Sequence, residues 1–349
     1  MKLLKITFWG IGLIIPQIAL SEPIDCFHEG ADERLILSCM LFSSSEGIIN
    51  YENYTILQDQ LSRNGYFHGD KNHIASTYTD IQFTPTLSYE ENINGGNPDR
   101  PLIVGGLTFQ GDEEFFSHGG TAIGISSLIS LRHIYGEGRY INSRTALSYK
   151  HDVNGRDSIV TNEVNLCSNN HLKNWWYFDV CANAEYVDKT FSENTERYLN
   201  YSLSKIFHTE NVGVTRVALT AQTLYRDDYS QNKLILDSSL INKNNSYFSI
   251  SGSVAESVEG YMVEKFSVNI SGSAPIYDKN ITLNFGYKEA SGGYLFGEPI
   301  SERSSYFRVS YPIFHNTQLY AGYQINDNSI DYFDYKYPTL GVQFSILNF

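Results

Sequence analysis

The sequence predicts an all-β fold: a transmembrane, antiparallel, up-and-down β-barrel of about fourteen strands, sixteen being the alternative, behind a small helical N-terminal segment. Three observations predict it. From Thr79 onward, segments of about ten to fourteen residues alternate polar and apolar side chains, the period of a strand with two unlike faces. These segments exceed the roughly five to six residues usual in soluble sandwiches, the competing architecture. Mid-segment, the polar face carries Ser, Thr, Asn and Gly, which suits a narrow or filled lumen.

Composition agrees. The chain has 349 residues with Tyr 26, Phe 20 and Gly 27 against Met 3 and Trp 3, a bias toward β-structure. A net charge of -14 argues against a nucleic-acid partner, because phosphates need Lys and Arg to neutralise them. Mean hydropathy is -0.28, and beyond the N-terminus no apolar run approaches the roughly 18 residues of a membrane helix.

Residues 1–21 read as a signal peptide. Lys2 and Lys5 form its basic start, Ile6 to Ile15 its short apolar core, and Ala19-Leu20-Ser21 its small-residue site, with cleavage expected after Ser21. Export makes disulfides possible, and spacing pairs Cys26 with Cys39 and Cys167 with Cys181.

Residues 22–73 read as a small disulfide-stapled helical periplasmic segment. Ala31–Leu41 and Tyr51–Leu61 have helical spacing of apolar residues, and Gly65, Gly69, Asp70 and Asn72 break the pattern. Asp25-Cys26 through Asp32-Glu33-Arg34-Leu35 to Cys39 resembles a recurring periplasmic module, in which an acidic turn and an Arg-Leu lead to a second cysteine. The resemblance implies a stapled helical hairpin, either docked outside the barrel or folded into it as a plug.

Residues 74–349 are the expected barrel. A direct count gives fifteen segments: 79–90, 101–111, 119–133, 138–150, 157–168, 174–187, 196–208, 212–226, 230–242, 246–257, 261–275, 280–290, 303–312, 317–326 and 338–348. Bacterial single-chain barrels are even-numbered, so one segment must be a loop. The weakest is 230–242, and dropping it gives fourteen. Connections 91–100, 291–302 and 327–337 are expected outside the cell. Phe115-Phe116, Trp175-Trp176, Tyr332-Phe333, Tyr335 and Tyr337 are expected at membrane interfaces.

The last stretch, Gly341 to Phe349, resembles the closing strand of Gram-negative outer-membrane β-barrel proteins, which end on an aromatic residue read by the barrel-assembly machinery. Val342, Phe344 and Ile346 share a parity, while Leu347 and Phe349 sit on the other, so a bulge near Leu347 is expected. The resemblance implies an outer-membrane location, with membrane lipid and lipopolysaccharide as surroundings. A periplasmic partner for residues 22–73 is a further possible association.

Parity places Glu163, Asn165 and Cys167 on the lumen face of one strand, and Asp179, Cys181, Asn183 and Glu185 on that of the next. The acidic side chains would favour cations in an open lumen. No catalytic, cofactor or metal set is expected. His151-Asp152-Val153-Asn154-Gly155-Arg156 resembles the His-x-Ser-Asn-Gly stretch of outer-membrane phospholipases A, but Val153 occupies the nucleophile position. Asn154-Gly155 reads as a tight turn, and a strand is expected to carry Ser158 away from His151. Ser291-Gly292-Gly293-Tyr294-Leu295-Phe296 resembles a stretch near the end of polysaccharide-export barrels; its plain reading is a loop with an aromatic tip. The nine histidines are scattered, and Glu90-Glu91, Asp112-Glu113-Glu114 and Asp227-Asp228 read as solvated turns. The expected function is a non-enzymatic pore, export conduit or structural surface protein; an outer-membrane hydrolase or polysaccharide-export barrel is the alternative.

Overall fold

The computed structural model describes residues 26–28, 30–45, 51–67, 77–209, 212–276, 279–314, 317–344 and 346–348. The expected signal peptide, His68, His73 and Phe349 lie outside the described residues. Two helices come first, α1 (Glu33–Ser45) and α2 (Tyr51–Arg63). The barrel strands follow: β1 (Thr77–Glu90), β2 (Gly120–Gly136), β3 (Arg139–Asp152), β4 (Ser158–His171), β5 (Trp176–Lys189), β6 (Ser192–Thr209) and β7 (Gly213–Tyr225). The second half is β8 (Ser230–Asn242), β9 (Tyr247–Ala255), β10 (Val263–Ile276), β11 (Lys279–Leu295), β12 (Glu298–Phe314), β13 (Thr317–Asn328) and β14 (Tyr335–Phe344), which resumes at Ile346–Asn348.

Among the described residues these fourteen strands pair in chain order, and β14 returns to β1 through Thr86↔Gln343, Leu87↔Val342 and Ser88↔Gly341. Closure leaves no free sheet edge, so every strand finds hydrogen-bond partners on both sides. Past the interruption, Phe83 pairs with Ile346 and Gln82 with Asn348, so Leu347 is the extra residue of a bulge.

The outside is apolar. Leu236 is 56% exposed, Ile123 52% and Leu166 50%, the reverse of a soluble protein. The opposite face of the wall carries Asn142, Ser148, Asn165, Asn183, Asn200 and Ser204. An inward polar wall inside an outward apolar belt is the inverted arrangement that lipid selects.

Several expectations are corrected. Segment 230–242 is a full strand: Leu236 pairs with Leu219 on one side and Gly252 on the other. The surplus segment is 101–111, which lies in a long connection, 91–119, and contributes only a small hairpin pairing Leu102–Val104 with Leu107–Phe109. Gly105 and Gly106 turn it at positive φ (58° and 79°), too early for a spanning strand. The expected connection 291–302 shrinks to a turn at Phe296-Gly297, because a bulge at Gly292 lets pairing continue to Leu295↔Glu298. Tyr294 and Phe296 stand exposed at that tip. Tyr335 and Tyr337 are not interfacial. They stack at 5.4 Å, hydrogen-bond Gln324 and share a face with the buried Asn326.

Candidate functional site

The two mouths of the barrel differ. At the mouth where β1 begins, described turns are short, as at 137–138 and 243–246. At the other, 91–119 is the longest connection. The helices sit against the inner wall near the first mouth.

Local chemistry starts α1. Asp32 Oδ1 accepts from the backbone N–H of Arg34 at 3.0 Å and of Leu35 at 3.3 Å, an N-cap. Leu35 and Leu37 are 0% exposed and Cys39 1%. A surface helix would leave one face wet; this one is apolar around most of its circumference because it lies between α2 and the wall. The Cys26–Cys39 disulfide staples its approach. α2 stops at Gly65, whose φ is 79° and whose α-carbon lies so close to Ile134 and the Gly136 carbonyl that a Cβ would clash with both.

The dock is polar and specific. Arg34 forks onto Asp179 of β5, with Nη1–Oδ2 2.7 Å and Nη2–Oδ1 2.8 Å, and lies 4.2 Å over the Tyr177 ring. Both side chains are nearly dry, at 6% and 11% exposure. Arg132 of β2 donates to Glu33 at 2.8 and 2.6 Å, and Asn64 donates to the same carboxylate at 3.0 Å. Arg63 pairs with Asp80 of β1 at 3.0 Å, and Tyr247 of β9 donates to the Gly30 carbonyl at 3.0 Å. Apolar contacts finish the seat: Phe42 against His208, and Leu35 and Leu37 in one cluster with Ile206, Val214 and Ile241.

Burial opposes ionisation of Glu33, but the hydrogen bonds and charge of Arg132, with Asn64 and Arg34 behind them, outweigh it and hold the carboxyl below its usual range. A lowered folded value stabilises docking fully above the unfolded value, and that contribution is lost as pH falls through the folded one. Protease access to residues 26–67 is therefore expected to rise below about pH 4, and Glu33→Gln to abolish that acid-dependent step.

The far mouth is covered by 91–119. Ile93, 0% exposed, packs on Ala122, Ile159 and Val187 of the inner wall. Asn94, 1% exposed, donates to the Phe116 carbonyl at 2.8 Å and accepts from Gly96 and His118. His118 meets Asp157 at 2.8 Å, Lys189 donates to the Asn92 carbonyl at 3.0 Å, and Arg100 donates to the carbonyls of Tyr332 and Asp334 on the other side. The connection thus bridges the mouth from the β4–β5 wall to the β13–β14 loop.

Between the helices and the wall lies a cavity of about 500 Å³, lined in part by Glu33, Arg34, Arg144, Glu163, Asn165 and Asp179. Register stacks its wall in rows. Asn165 opposes Asn183 and donates to it, Glu163 opposes Glu185, and Cys167 opposes Cys181 as a disulfide. All five expected lumen residues, Glu163, Asn165, Asp179, Asn183 and Glu185, therefore lie on adjacent strands β4 and β5. Asp179 differs from expectation in one respect: Arg34 neutralises it, so it is no free lumen charge. Arg34, Arg132 and Arg144 were missed. A signal existed for the last two, since both fall on the inward parity of their strands.

His151 also departs from expectation. It directly opposes Ser158 across the 153–157 turn, because the turn is short enough to bring strand ends together. Its Nδ1 has no hydrogen-bond partner among the described residues, and its ring stacks on Tyr149. Gly155 has φ 75°, as a tight turn requires. Asp112 caps the short helical turn Glu113–Phe115. Among the described residues no group of three or more His, Cys, Asp or Glu is placed to hold a metal ion.

No protein-family model matches this chain, and no curated protein does. Solved structures to which the chain is similar include three outer-membrane proteins. OccAB4 of Acinetobacter baumannii is 9% identical, with a TM-score of 0.42, over 80% of this chain and 100% of that one. OpdK of Pseudomonas aeruginosa, solved with vanillate, is 8% identical with a TM-score of 0.42, over 78% and 99%. A loop-deleted OmpT, an outer-membrane protein of Vibrio cholerae, is 10% identical with a TM-score of 0.40, over 78% and 100%.

Proposed function

We propose that this chain is a non-enzymatic outer-membrane conduit for small polar solutes, narrowed from within by its own N-terminal helices. The observation that carries the reading is the polar cavity of about 500 Å³ enclosed between α1 and an inward-facing wall of Asn, Glu and Arg. Around it, the apolar belt of β1–β14 supplies the surface that membrane lipid and lipopolysaccharide would cover. The barrel-assembly machinery would read the closing strand, and a periplasmic partner could meet the segment at the first mouth.

Of the five expected lumen residues, Glu163 and Glu185 are acidic and have no ion-pair partner among the described residues, against a single unpaired Arg144 beside them, so a weak preference for cations follows. Covered mouths on both sides favour a second reading, a closed structural barrel. Single-channel recording in planar bilayers separates them. Small, stepwise, mildly cation-selective current is expected. Silence from both the wild type and a variant with loosened helices would leave only the structural reading.

A further inference from the structure

We propose that the cavity between α1 and β2–β5 is a binding site for a small zwitterion, an amino acid or short peptide. Its ammonium group sits at Glu163 and Glu185, and its carboxylate on Arg144. This deepens the conduit reading, on which it rests for the solute's route of arrival.

The charges left over select the ligand. Most polar groups of the wall are already spent. Arg34 holds Asp179, and Arg132 holds Glu33. Asn165 donates to Asn183, and Ser130 donates to Asn142. Three charged side chains are not: Arg144 and Glu163 line the cavity, Glu185 stands opposite Glu163 on the next strand beside it, and all three are exposed and make no ion pair among the described residues.

Register fixes where they stand. Arg144 opposes Asn165, whereas Glu163, two residues along the same strand, opposes Glu185 on the next. Like charges directly opposed across strands destabilise a sheet unless a cation lies between them. The carboxylate row and the Arg144 row are one side-chain repeat apart, about 6.6 Å along the strand. A positive group between the glutamates and a negative group on the guanidinium fork satisfies both rows at once. An inorganic cation would leave Arg144 unpaired. An inorganic anion would leave the carboxylates facing each other. A neutral sugar would compete for amides that are already hydrogen-bonded to one another.

Calorimetric titration of the refolded, detergent-solubilised full chain at pH 7 tests the assignment, with glycylglycine as probe and glucose, potassium chloride and sodium acetate as controls. Saturable binding of glycylglycine is expected, with Arg144→Gln and Glu163→Gln each weakening it at least tenfold. Heat-modifiable gel mobility verifies that both variants fold. The proposal is overturned by the absence of saturable glycylglycine binding, by unchanged affinity in both variants, or by glucose or either salt binding as tightly. Binding without bilayer current sinks the conduit reading and leaves the site; current without binding does the reverse.

Discussion

Replacing Arg34 with Ala is expected to undock the N-terminal helices and to raise single-channel conductance several-fold. The guanidinium and Asp179 are both nearly dry, and they form a two-pronged pair. Removing one partner of a buried pair strands the other charge, at a cost of about 3–5 kcal/mol. The pair joins α1 to β5 while the barrel strands pair with one another independently of it, so that cost falls on docking rather than on the barrel. Limited proteolysis should then cleave within 26–67 while the heat-modifiable barrel persists. The double variant Arg34→Met with Asp179→Leu separates charge from packing. Because it leaves no stranded ion, docking should recover in large part. A single variant as quiet and as protease-resistant as the wild type would show that Arg34 is not the anchor.

Leu236→Arg is expected to destabilise the folded barrel by about 2–4 kcal/mol, while Ile235→Arg next to it costs far less. Leu236 lies at the middle of β8 and is 56% exposed on the outer face. Ile235 points the other way, opposite Thr220 and Ser253. One residue of displacement exchanges lipid for a polar lumen, so the two variants differ only in what surrounds the new charge. Urea unfolding of barrels refolded into lipid vesicles reads the difference. Equal losses for the two would contradict an outward lipid belt.

The sequence carried the barrel because alternation is local. A period of two in Leu199, Tyr201 and Leu203 against Asn200, Ser202 and Ser204 needs no partner strand to be read. The same arithmetic placed Glu163, Cys167, Cys181 and Glu185 on one face, and it located the bulge at Leu347. It failed where composition stood in for pairing. The count drops segment 230–242, although it spans, and keeps 101–111, although it forms only a small hairpin. Only pairing on both sides distinguishes a spanning strand from a hairpin inside a loop.

What the sequence determined by itself was the up-and-down β architecture, the helical spacing before it, the two faces of each strand and the tight turn at Asn154-Gly155. These follow from backbone periodicity and from turn chemistry, which act over a few residues. The tertiary structure alone decided that the helices lie inside the wall, that Arg34 consumes Asp179, and that Arg144 and Glu163 remain unpaired in one cavity with Glu185 opposite Glu163 on the next strand. Arg34 and Asp179 are 145 residues apart, and no local pattern encodes a pair that only barrel closure brings together.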